Sequence, residues 1–318
     1  MDSQKLRVGD RMAVRSANEI LSTLDENGTL DGLPFMPEML SWCGKSFRVL
    51  RRVDKTCVNG HPMRRFLAND VVILDGPRCD GAGHDGCKHG CRIYWKQAWL
   101  RRVDADEVGI ERVEGEDDLE KLRRHLKVKS DERHYFCQST ELYKSTEAFP
   151  AGERHLRARM VLQEIRNGDL GPLRTSRLLA RYLWQKIRRT FGCDDWLRGP
   201  HKHTPTQSLN LRPGELVRVK PRAQIVQTLD NRMSNRGMGI CYEMMRCCGR
   251  EAEVRHRVDR LISEKTGDMR EIADTVTLSS MRGCGSLGEE CLCSGEPGDC
   301  PRGELMYWRE IWLERVHS

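Results

Sequence analysis

The sequence predicts a mainly β protein in which two tandem SH3-like β-barrels, related by an internal duplication, are joined by an α-helical middle region. Three observations predict this fold class: four sequence blocks recur in one order, each copy contains short alternating runs of apolar and charged residues, and helical patterns fall between the copies. With 318 residues, the chain is long enough for two or three domains.

The internal repeat is the strongest feature of the sequence. GDRMAVRSANEILSTLD (9–25) matches GELVRVKPRAQIVQTLD (214–230), EMLSWCGKSFRVLRRVDK (38–55) matches EMMRCCGREAEVRHRVDR (243–260), DVVIL (70–74) matches DTVTL (274–278), and YWKQAWLRRV (94–103) matches YWREIWLERV (307–316). The spacing between blocks changes only where the cysteine-containing loops differ in length. This arrangement indicates a duplicated domain.

Each copy has the pattern of a small β domain. In the first copy the strand runs contain Met12 and Val14; Phe47, Val49 and Val53; Val71 and Ile73; and Trp99, Leu100 and Val103. Hairpin turns are predicted at Asn59-Gly60 and at Thr266-Gly267-Asp268. Short strands at regular spacing, opened by GDxxxV, favour a five-stranded barrel of the SH3 type, and two meandering sheets are the alternative.

The segment between the copies has a different composition. It begins acidic, turns basic, and then shows two helical patterns, around 153–167 and 174–191, separated by the breaker NGDLGP. We therefore predict a first barrel with a cysteine-rich metal loop at 1–104, a charged and helical middle region with a linker at 105–212, and a second barrel with a cysteine-rich metal loop at 213–318.

Composition indicates a cytoplasmic protein. The first residues lack the apolar core of a signal peptide, and no apolar run approaches the roughly 18 residues of a transmembrane segment. The chain has fourteen cysteines. Because the cytosol keeps thiols reduced, clustered cysteines there indicate metal ligands or redox groups rather than disulfides.

Two sets of cysteines are candidate metal ligands. The first copy offers Cys43, Cys79, Cys87 and Cys91, and the second offers Cys248, Cys284, Cys293 and Cys300, with His84, His89 and Cys291 as alternative ligands. The repeat aligns Cys43 with Cys248 and Cys79 with Cys284. We expect one donor from a turn and three from one loop to surround each metal ion, with the sulfur atoms of each set within about 4 Å of one another.

Zinc in two sites is the first expectation, because tetrahedral zinc accepts four thiolate or imidazole ligands. Iron or an iron–sulfur cluster is the alternative cofactor, and buried free cysteines that act as small apolar residues are a third possibility. Neither copy contains the paired C-x-x-C motifs of common zinc ribbons, so the ligand sets depend on the duplication.

Cys137, which lies beside His134, is conceivable as a nucleophile, but the sequence indicates no third group to orient the pair. Cys57, Cys193, Cys241 and Cys247 have no counterpart in the other copy and are expected to be ordinary thiols. The chain has no P-loop, G-x-G-x-x-G, G-x-S-x-G or H-E-x-x-H motif, so common nucleotide-binding, hydrolase and zinc-protease chemistries are unsupported.

The predicted helix 174–191 has no acidic residue. Its arginines lie roughly on one face and its apolar residues on another, which suits a helix that binds an acidic partner. We expect Arg177, Arg181 and Arg188 to contact that partner, another protein or an acidic macromolecule. In the alternative, the apolar face packs on a barrel and the arginines are merely solvated.

Four stretches carry a resemblance to other proteins: LPFMPEM followed by CG, the cysteine loop with its paired tryptophans, CQSTEL in the middle, and CPRG with YWREIWLERV at the end. In these the chain resembles an uncharacterised bacterial protein family with two cysteine-containing SH3-like repeats flanking a helical middle region. The resemblance covers nearly the whole chain and supports the domain boundaries, and it implies no activity.

These features favour a metal-stabilised tandem-barrel protein that binds a macromolecular partner or acts as an accessory protein. The alternative is a metalloenzyme, with zinc, iron or an iron–sulfur cluster, or an accessory subunit of a biosynthetic or modification enzyme. Nucleic-acid binding is not favoured, because acidic residues are mixed evenly with basic ones outside the middle region and the net charge is only +7.

Overall fold

The computed structural model is mainly β: of the residues that it describes, 33% lie in strands and 19% in helices. The chain forms two compact units: unit 1 comprises 1–177, 262–270 and 300–302, and unit 2 comprises 178–261, 271–299 and 303–318. The residues that the structure describes are 5–58, 61, 64–103, 115–149, 165, 166, 176, 180, 183, 184, 187, 198–280, 302, 303 and 305–316.

Unit 1 is built around a five-stranded antiparallel sheet. In chain order its strands are β1 (Arg11–Val14), β4 (Ser46–Arg52), β6 (Val71–Arg78), β7 (Arg92–Lys96) and β8 (Leu100–Arg102). Their order across the sheet is β7-β6-β4-β1-β8.

Short elements surround this sheet. Two small ribbons pair β2 (Thr29–Leu30) with β3 (Leu33–Pro34), and β5 (Arg64–Phe66) with β9 (Thr146–Ala148). The helices are α1 (Ala17–Leu21), α2 (Glu116–His125) and α3 (Gln138–Glu141). Residues 115–149, which follow the first predicted barrel, therefore lie within unit 1.

Unit 2 contains a second five-stranded antiparallel sheet. Its strands are β10 (Leu216–Val219), β13 (Glu251–Arg257), β16 (Thr275–Leu278), β17 (Tyr307–Arg309) and β18 (Leu313–Arg315), in the order β17-β16-β13-β10-β18. The remaining elements are a ribbon of β11 (Ser234–Asn235) and β12 (Met238–Gly239), a ribbon of β14 (Arg260–Ile262) and β15 (Met269–Glu271), and the helices α4 (Arg222–Val226) and α5 (Tyr242–Met245).

The two large sheets share their strand order and an irregularity. In the first sheet the register between β4 and β6 shifts between Val49 and Arg51, and in the second the register between β13 and β16 shifts between Val254 and His256. These residue pairs align in the sequence repeat. A bulge bends its strand and increases the local twist, so both sheets curve at the same point. The shared details support the duplication, while the SH3-like barrel type stays a prediction.

One buried hydrogen bond also recurs in both units. Trp99 Nε1 donates to Thr23 Oγ1 at 3.1 Å, and Trp312 Nε1 donates to Thr228 Oγ1 at 3.0 Å. Both tryptophans are fully buried. An indole N–H needs a partner when its ring is buried, so the threonine hydroxyl fixes where the short helix before it meets the strand that ends the sheet.

The predicted middle helices lie largely outside the described residues. Residues 165, 166, 176, 180, 183, 184 and 187 are described, and each has helical backbone conformation. No helix in the described part of the chain is long and apolar enough to span a membrane.

The recurring hydrogen bond leads to a stability prediction. Thr23→Val and Thr228→Val each keep the side-chain shape but leave a buried indole N–H unpaired, so each is expected to lower the free energy of unfolding by about 1–3 kcal/mol. Urea denaturation followed by tryptophan fluorescence measures the change. The matched controls Thr23→Ser and Thr228→Ser keep the hydroxyl group; valine variants as stable as the serine variants would contradict the role of the bond.

Candidate metal centre in the cysteine loop

Residues 79–91 form a compact loop between β6 and β7 that carries three of the predicted ligands. The Cys79 backbone N–H donates to the Cys91 carbonyl oxygen at 2.9 Å and closes the base of the loop. Within it, the N–H of His84 donates to the Gly81 carbonyl at 3.0 Å and that of Cys87 to the His84 carbonyl at 3.1 Å. These turns fold the loop back on itself.

Glycine is required at position 81 for this fold. Gly81 has a φ of +72°, and a Cβ atom there would lie 2.0 Å from the carbonyl oxygen of Cys87. Any side chain would force the two strands of the loop apart. The glycine therefore allows Cys79, Cys87 and Cys91 to share one small loop.

Helix α3 brings a fourth cysteine to this loop. The buried side chain of Gln138 accepts a hydrogen bond from the Tyr94 N–H at 2.8 Å and donates to the Tyr94 carbonyl at 2.9 Å, which ties the start of α3 to β7. The Ser139 hydroxyl lies 3.4 Å from Cys91 Sγ. Cys137, immediately before Gln138, is thereby placed beside the loop.

Burial and neighbouring charges disfavour ionisation of three of these thiols. Burial raises the pKa of Cys79, and the charges of Glu38, Cys91 and Cys137 raise it further. Burial likewise raises the pKa of Cys137 to about 12, with a contribution from the charge of Cys91. For Cys87, burial raises the pKa, and the charge of Cys91 adds to the increase. Ionisation of any one of these thiols therefore disfavours ionisation of the others.

Cys91 behaves differently from its neighbours. Burial alone would raise its pKa, but the charge and hydrogen bond of His89, the charge of Arg302 and the hydrogen bond with Ser139 lower the pKa to about 7. Near neutral pH a large share of Cys91 is therefore thiolate, which is the form that binds soft metals.

Two further segments of unit 1 contribute Glu264 and Arg302 to the charged surroundings of Cys91. Arg302 Nη1 donates to Glu264 Oε2 at 2.8 Å, and His89 Nε2 lies 3.8 Å from Glu264 Oε1. Both side chains of the Arg302–Glu264 pair are almost fully buried. The carboxylate of Glu264 thus orients the two groups that stabilise the Cys91 thiolate.

His84 is engaged elsewhere. Its Nδ1 lies 2.7 Å from Glu38 Oε1 and its Nε2 lies 3.1 Å from the Phe136 carbonyl oxygen, and both side chains are buried. Burial opposes charge on each group, yet their hydrogen bond and mutual attraction lower the pKa of Glu38 and raise the pKa of His84. With both ring nitrogens hydrogen-bonded, His84 holds the loop against α3 and has no lone pair left for a metal.

Cys43, the fourth ligand expected from the repeat, belongs to the apolar core against which Cys79 and Cys137 also pack. It follows a 3-10 turn at Pro37–Trp42, its N–H donates to the Leu40 carbonyl at 3.2 Å, and its side chain is buried in the apolar core of unit 1.

The sequence indicated Cys137 only as a conceivable nucleophile, because nothing in its spacing links it to a loop 46 residues earlier. The motif CQSTEL, which contains it, was the available signal. The suggested nucleophilic pair is not what holds Cys137, since the exposed His134 ring lies 2.7 Å from Asp131 Oδ2 and 3.4 Å from Asp268 Oδ1.

Within the part of the chain that the structure describes, no group of three or more His, Cys, Asp or Glu side chains is positioned to hold a metal ion. The metal sets stay predictions. In unit 2, Cys248 packs against the apolar core. The other predicted ligands of the second copy, Cys284, Cys291, Cys293 and Cys300, lie outside the described residues, as do Cys193 and the expected partner-binding residues Arg177, Arg181 and Arg188.

Comparison with protein-family models, with curated proteins and with solved structures finds no match to this chain. The resemblance to a bacterial family therefore stays a prediction, and the arguments that follow depend on this chain's own residues.

The buried Glu38–His84 pair leads to a second prediction. His84→Gln leaves a buried carboxylate without its cationic partner and is expected to lower the free energy of unfolding by about 3–5 kcal/mol near pH 6. Urea denaturation measures the difference from wild type. His125→Gln is the control, because His125 is partly exposed and hydrogen-bonds the Asp25 carbonyl oxygen; about 0.5 kcal/mol or less is expected there.

The two pKa shifts fix how this difference varies with pH. The lowered pKa of Glu38 contributes stability that is present above its unfolded value of about 4.3 and is lost as the pH falls through the folded value. The raised pKa of His84 contributes stability that is complete below its unfolded value of about 6.5 and is lost as the pH rises through the folded value. The cost of His84→Gln should be greatest between these limits, and a cost that grows in alkaline solution would contradict an ionic pair.

Proposed function

We propose that this protein is a metal-stabilised accessory protein that binds a macromolecular partner. The observation that carries the metal half of the proposal is the compact loop of Cys79, Cys87 and Cys91, which the Cys79–Cys91 backbone hydrogen bond closes. Soft metals require several thiolates at one place, and an isolated structural cysteine has no need of a lowered pKa.

In the second copy we propose the metal set predicted from the repeat, Cys248, Cys284, Cys293 and Cys300. Zinc is the first expectation for this set, with iron as the alternative. A metal in each repeat would contribute to folding, because the donors come from separate parts of the chain and the ion binds only when they are brought together.

The binding half of the proposal depends on the segment 174–191. Leu183, Trp184 and Ile187 expose 56%, 62% and 50% of their surface, respectively. The same segment contains six basic residues and no acidic residue. Exposed apolar side chains among basic ones suit a helix that meets an acidic partner with an apolar centre, and they disfavour the alternative in which this apolar face is buried on a barrel.

One observation favours the alternative of a metalloenzyme. Glu38 Oε2 is buried and accepts no hydrogen bond from the described residues, while the charge of Glu38 acts on both Cys79 and Cys87. A free carboxylate oxygen beside thiols is suited to accept a proton from a bound molecule. Retention of metal binding by Glu38→Gln together with loss of a catalysed reaction would favour an enzyme.

The metal proposal predicts that the purified chain contains a metal in each repeat and that chelation lowers its melting temperature. Elemental analysis and thermal unfolding with and without a chelator test this. The control Cys57→Ser should leave the metal content unchanged, because Cys57 has no counterpart in the other copy. Metal-free protein with an unchanged melting curve would remove the metal half of the proposal.

The binding proposal predicts separate effects of charge and apolar surface. Replacing Arg177, Arg181 and Arg188 by Gln should weaken binding to an acidic polypeptide at low salt and flatten its salt dependence, because added salt screens the remaining charges. Replacing Leu183, Trp184 and Ile187 by Ser should weaken binding at every salt concentration.

Fluorescence anisotropy with labelled polyglutamate measures both effects. Leu67→Ser is the matched control, since Leu67 exposes 50% of its surface elsewhere in the chain. If the arginine variant instead lowers the melting temperature by several degrees, the arginines are structural and the binding helix is excluded.

A further inference from the structure

An open cleft beside the turn at Asp230 is a candidate binding site separate from the cysteine loop. The cleft has a volume of about 460 Å³ and is lined by Gly199, Pro200, His201, Lys202, Asp230, Asn231 and Arg232, all within unit 2. Small-molecule sites commonly have volumes of this order. We propose that this Asp230 cleft binds a small phosphorylated polyol through Lys202, Arg232 and the Asp230 carboxylate. The site depends on neither the proposed metal nor the binding helix.

Backbone contacts hold the two walls of the Asp230 cleft together. The Gly199 N–H donates to the Asp230 carbonyl oxygen at 2.9 Å, and the His201 N–H donates to the Leu229 carbonyl oxygen at 3.2 Å. A Cβ atom at position 199 would lie 1.9 Å from the Leu229 carbonyl oxygen, so this close approach requires glycine. His201 Nε2 also lies 2.6 Å from the Gln227 carbonyl oxygen. The cleft is therefore formed by the folded chain itself, which lowers the cost of ordering its walls when a ligand binds.

The Asp230 side chain organises the turn that carries Arg232. Its Oδ1 accepts hydrogen bonds from the backbone N–H groups of Arg232 at 2.8 Å and Ser234 at 2.9 Å. These bonds fix the backbone from which the Arg232 side chain starts.

The equivalent turn of unit 1 is covered by a helix and lacks the arginine. There Asp25 Oδ1 accepts the N–H groups of Asn27 and Thr29, each at 2.9 Å, in the same arrangement. His125, at the end of α2, lies with Nε2 2.7 Å from the Asp25 carbonyl oxygen. The sequence repeat places Arg232 at the position of Asn27. Because the turn forms with either residue, the fold itself does not require a cation at this place.

Two cations line the Asp230 cleft without a carboxylate partner. Lys202 and Arg232 are exposed, and neither side chain forms an ion pair or a hydrogen bond with the residues that the structure describes. Four other arginines of unit 2 do pair with carboxylates: Arg218, Arg236, Arg257 and Arg315. The donors of Lys202 and Arg232 are therefore available to an anionic ligand.

These groups match the chemistry of a phosphorylated polyol. A guanidinium donates two parallel N–H bonds to phosphate oxygens, and an ammonium adds a second positive charge, so Arg232 and Lys202 together suit a phosphate dianion. The Asp230 carboxylate would repel the phosphate but accepts hydrogen bonds from hydroxyl groups. A ligand with a phosphate at one end and hydroxyl groups at the other satisfies both signs of charge in the cleft.

Isothermal titration calorimetry of the full chain with glycerol 3-phosphate tests the site. We expect saturable binding to one site per chain, and no binding of glycerol under the same conditions, because the phosphate supplies the charge that Lys202 and Arg232 recognise. No detectable binding of glycerol 3-phosphate, or equal binding of glycerol, would overturn the proposal.

Two variants test the assigned cations. Lys202→Gln and Arg232→Gln should each weaken the binding of glycerol 3-phosphate about tenfold, because each removes a charged hydrogen bond to the phosphate. Arg246→Gln is the matched control, since Arg246 is an exposed arginine of unit 2 that does not line the cleft. Wild-type affinity in the two cleft variants, or an equal loss in the control, would overturn the assignment. Melting temperatures show whether each variant is folded.

A measurement on the wild-type chain avoids the risk that a variant fails to fold. Arginines are modified with phenylglyoxal, and the modified positions are found by mass spectrometry. Glycerol 3-phosphate should slow the modification of Arg232 and leave that of Arg246 unchanged. Weaker protection by inorganic phosphate is expected, because phosphate alone offers no polyol hydroxyl groups to Asp230. An unchanged rate at Arg232 would overturn the site, and equal protection by inorganic phosphate would overturn the polyol as its ligand.

Discussion

The candidate centre depends on the hydrogen bonds between the side chain of Gln138 and the backbone of Tyr94. A buried amide that accepts from the N–H and donates to the C=O of one residue behaves like an added strand residue, and it fixes both the position and the direction of α3. Cys137 and Ser139 flank Gln138 in sequence. Their approach to Cys91 is therefore a consequence of this one docking contact, since the thiols have no metal-independent attraction for one another.

The two five-stranded sheets have the same strand order but carry different loops. The Trp–Thr hydrogen bond and the bulge recur in both. Lys96 and Arg309 occupy equivalent positions with different partners: Lys96 pairs with Asp31 and Asp70, whereas Arg309 donates to backbone carbonyls and Thr275. Burial lowers the pKa of Arg309 to about 10, so it stays charged at neutral pH. Equivalent positions in the two sheets thus both hold a buried cation, although the groups around them differ.

The strands of the two five-stranded sheets were predictable from the sequence, because strand periodicity is a local pattern and because the repeat contains each strand twice. The centre was only partly predictable. The loop with Cys79, Cys87 and Cys91 is visible in the sequence as glycines and cysteines in one short stretch. The approach of Cys137 and Arg302 to this loop depends on tertiary packing, which the spacing of residues in the sequence does not encode. The repeat predicts Cys43 as a ligand because it assumes that equivalent positions keep equivalent roles, and that expectation stays a prediction. His84 illustrates a second limit, since a histidine in a cysteine loop gives no sign that a buried carboxylate already holds it.

A metal group at these thiols would have a large effect on folding because of where its ligands lie in the chain. Cys91 and Cys137 are separated by 46 residues, and closing a loop of that length in the unfolded chain carries an entropic cost that grows only slowly with length. Arg302 and Glu264 come from still more distant segments that belong to unit 1. A group that binds only when these segments have assembled adds its binding free energy to the folded state alone. A bound metal group would then stabilise the packing of α3 and residues 262–270 on the five-stranded sheet of unit 1. Loss of the group should therefore loosen α3 and residues 262–270 before the sheet itself.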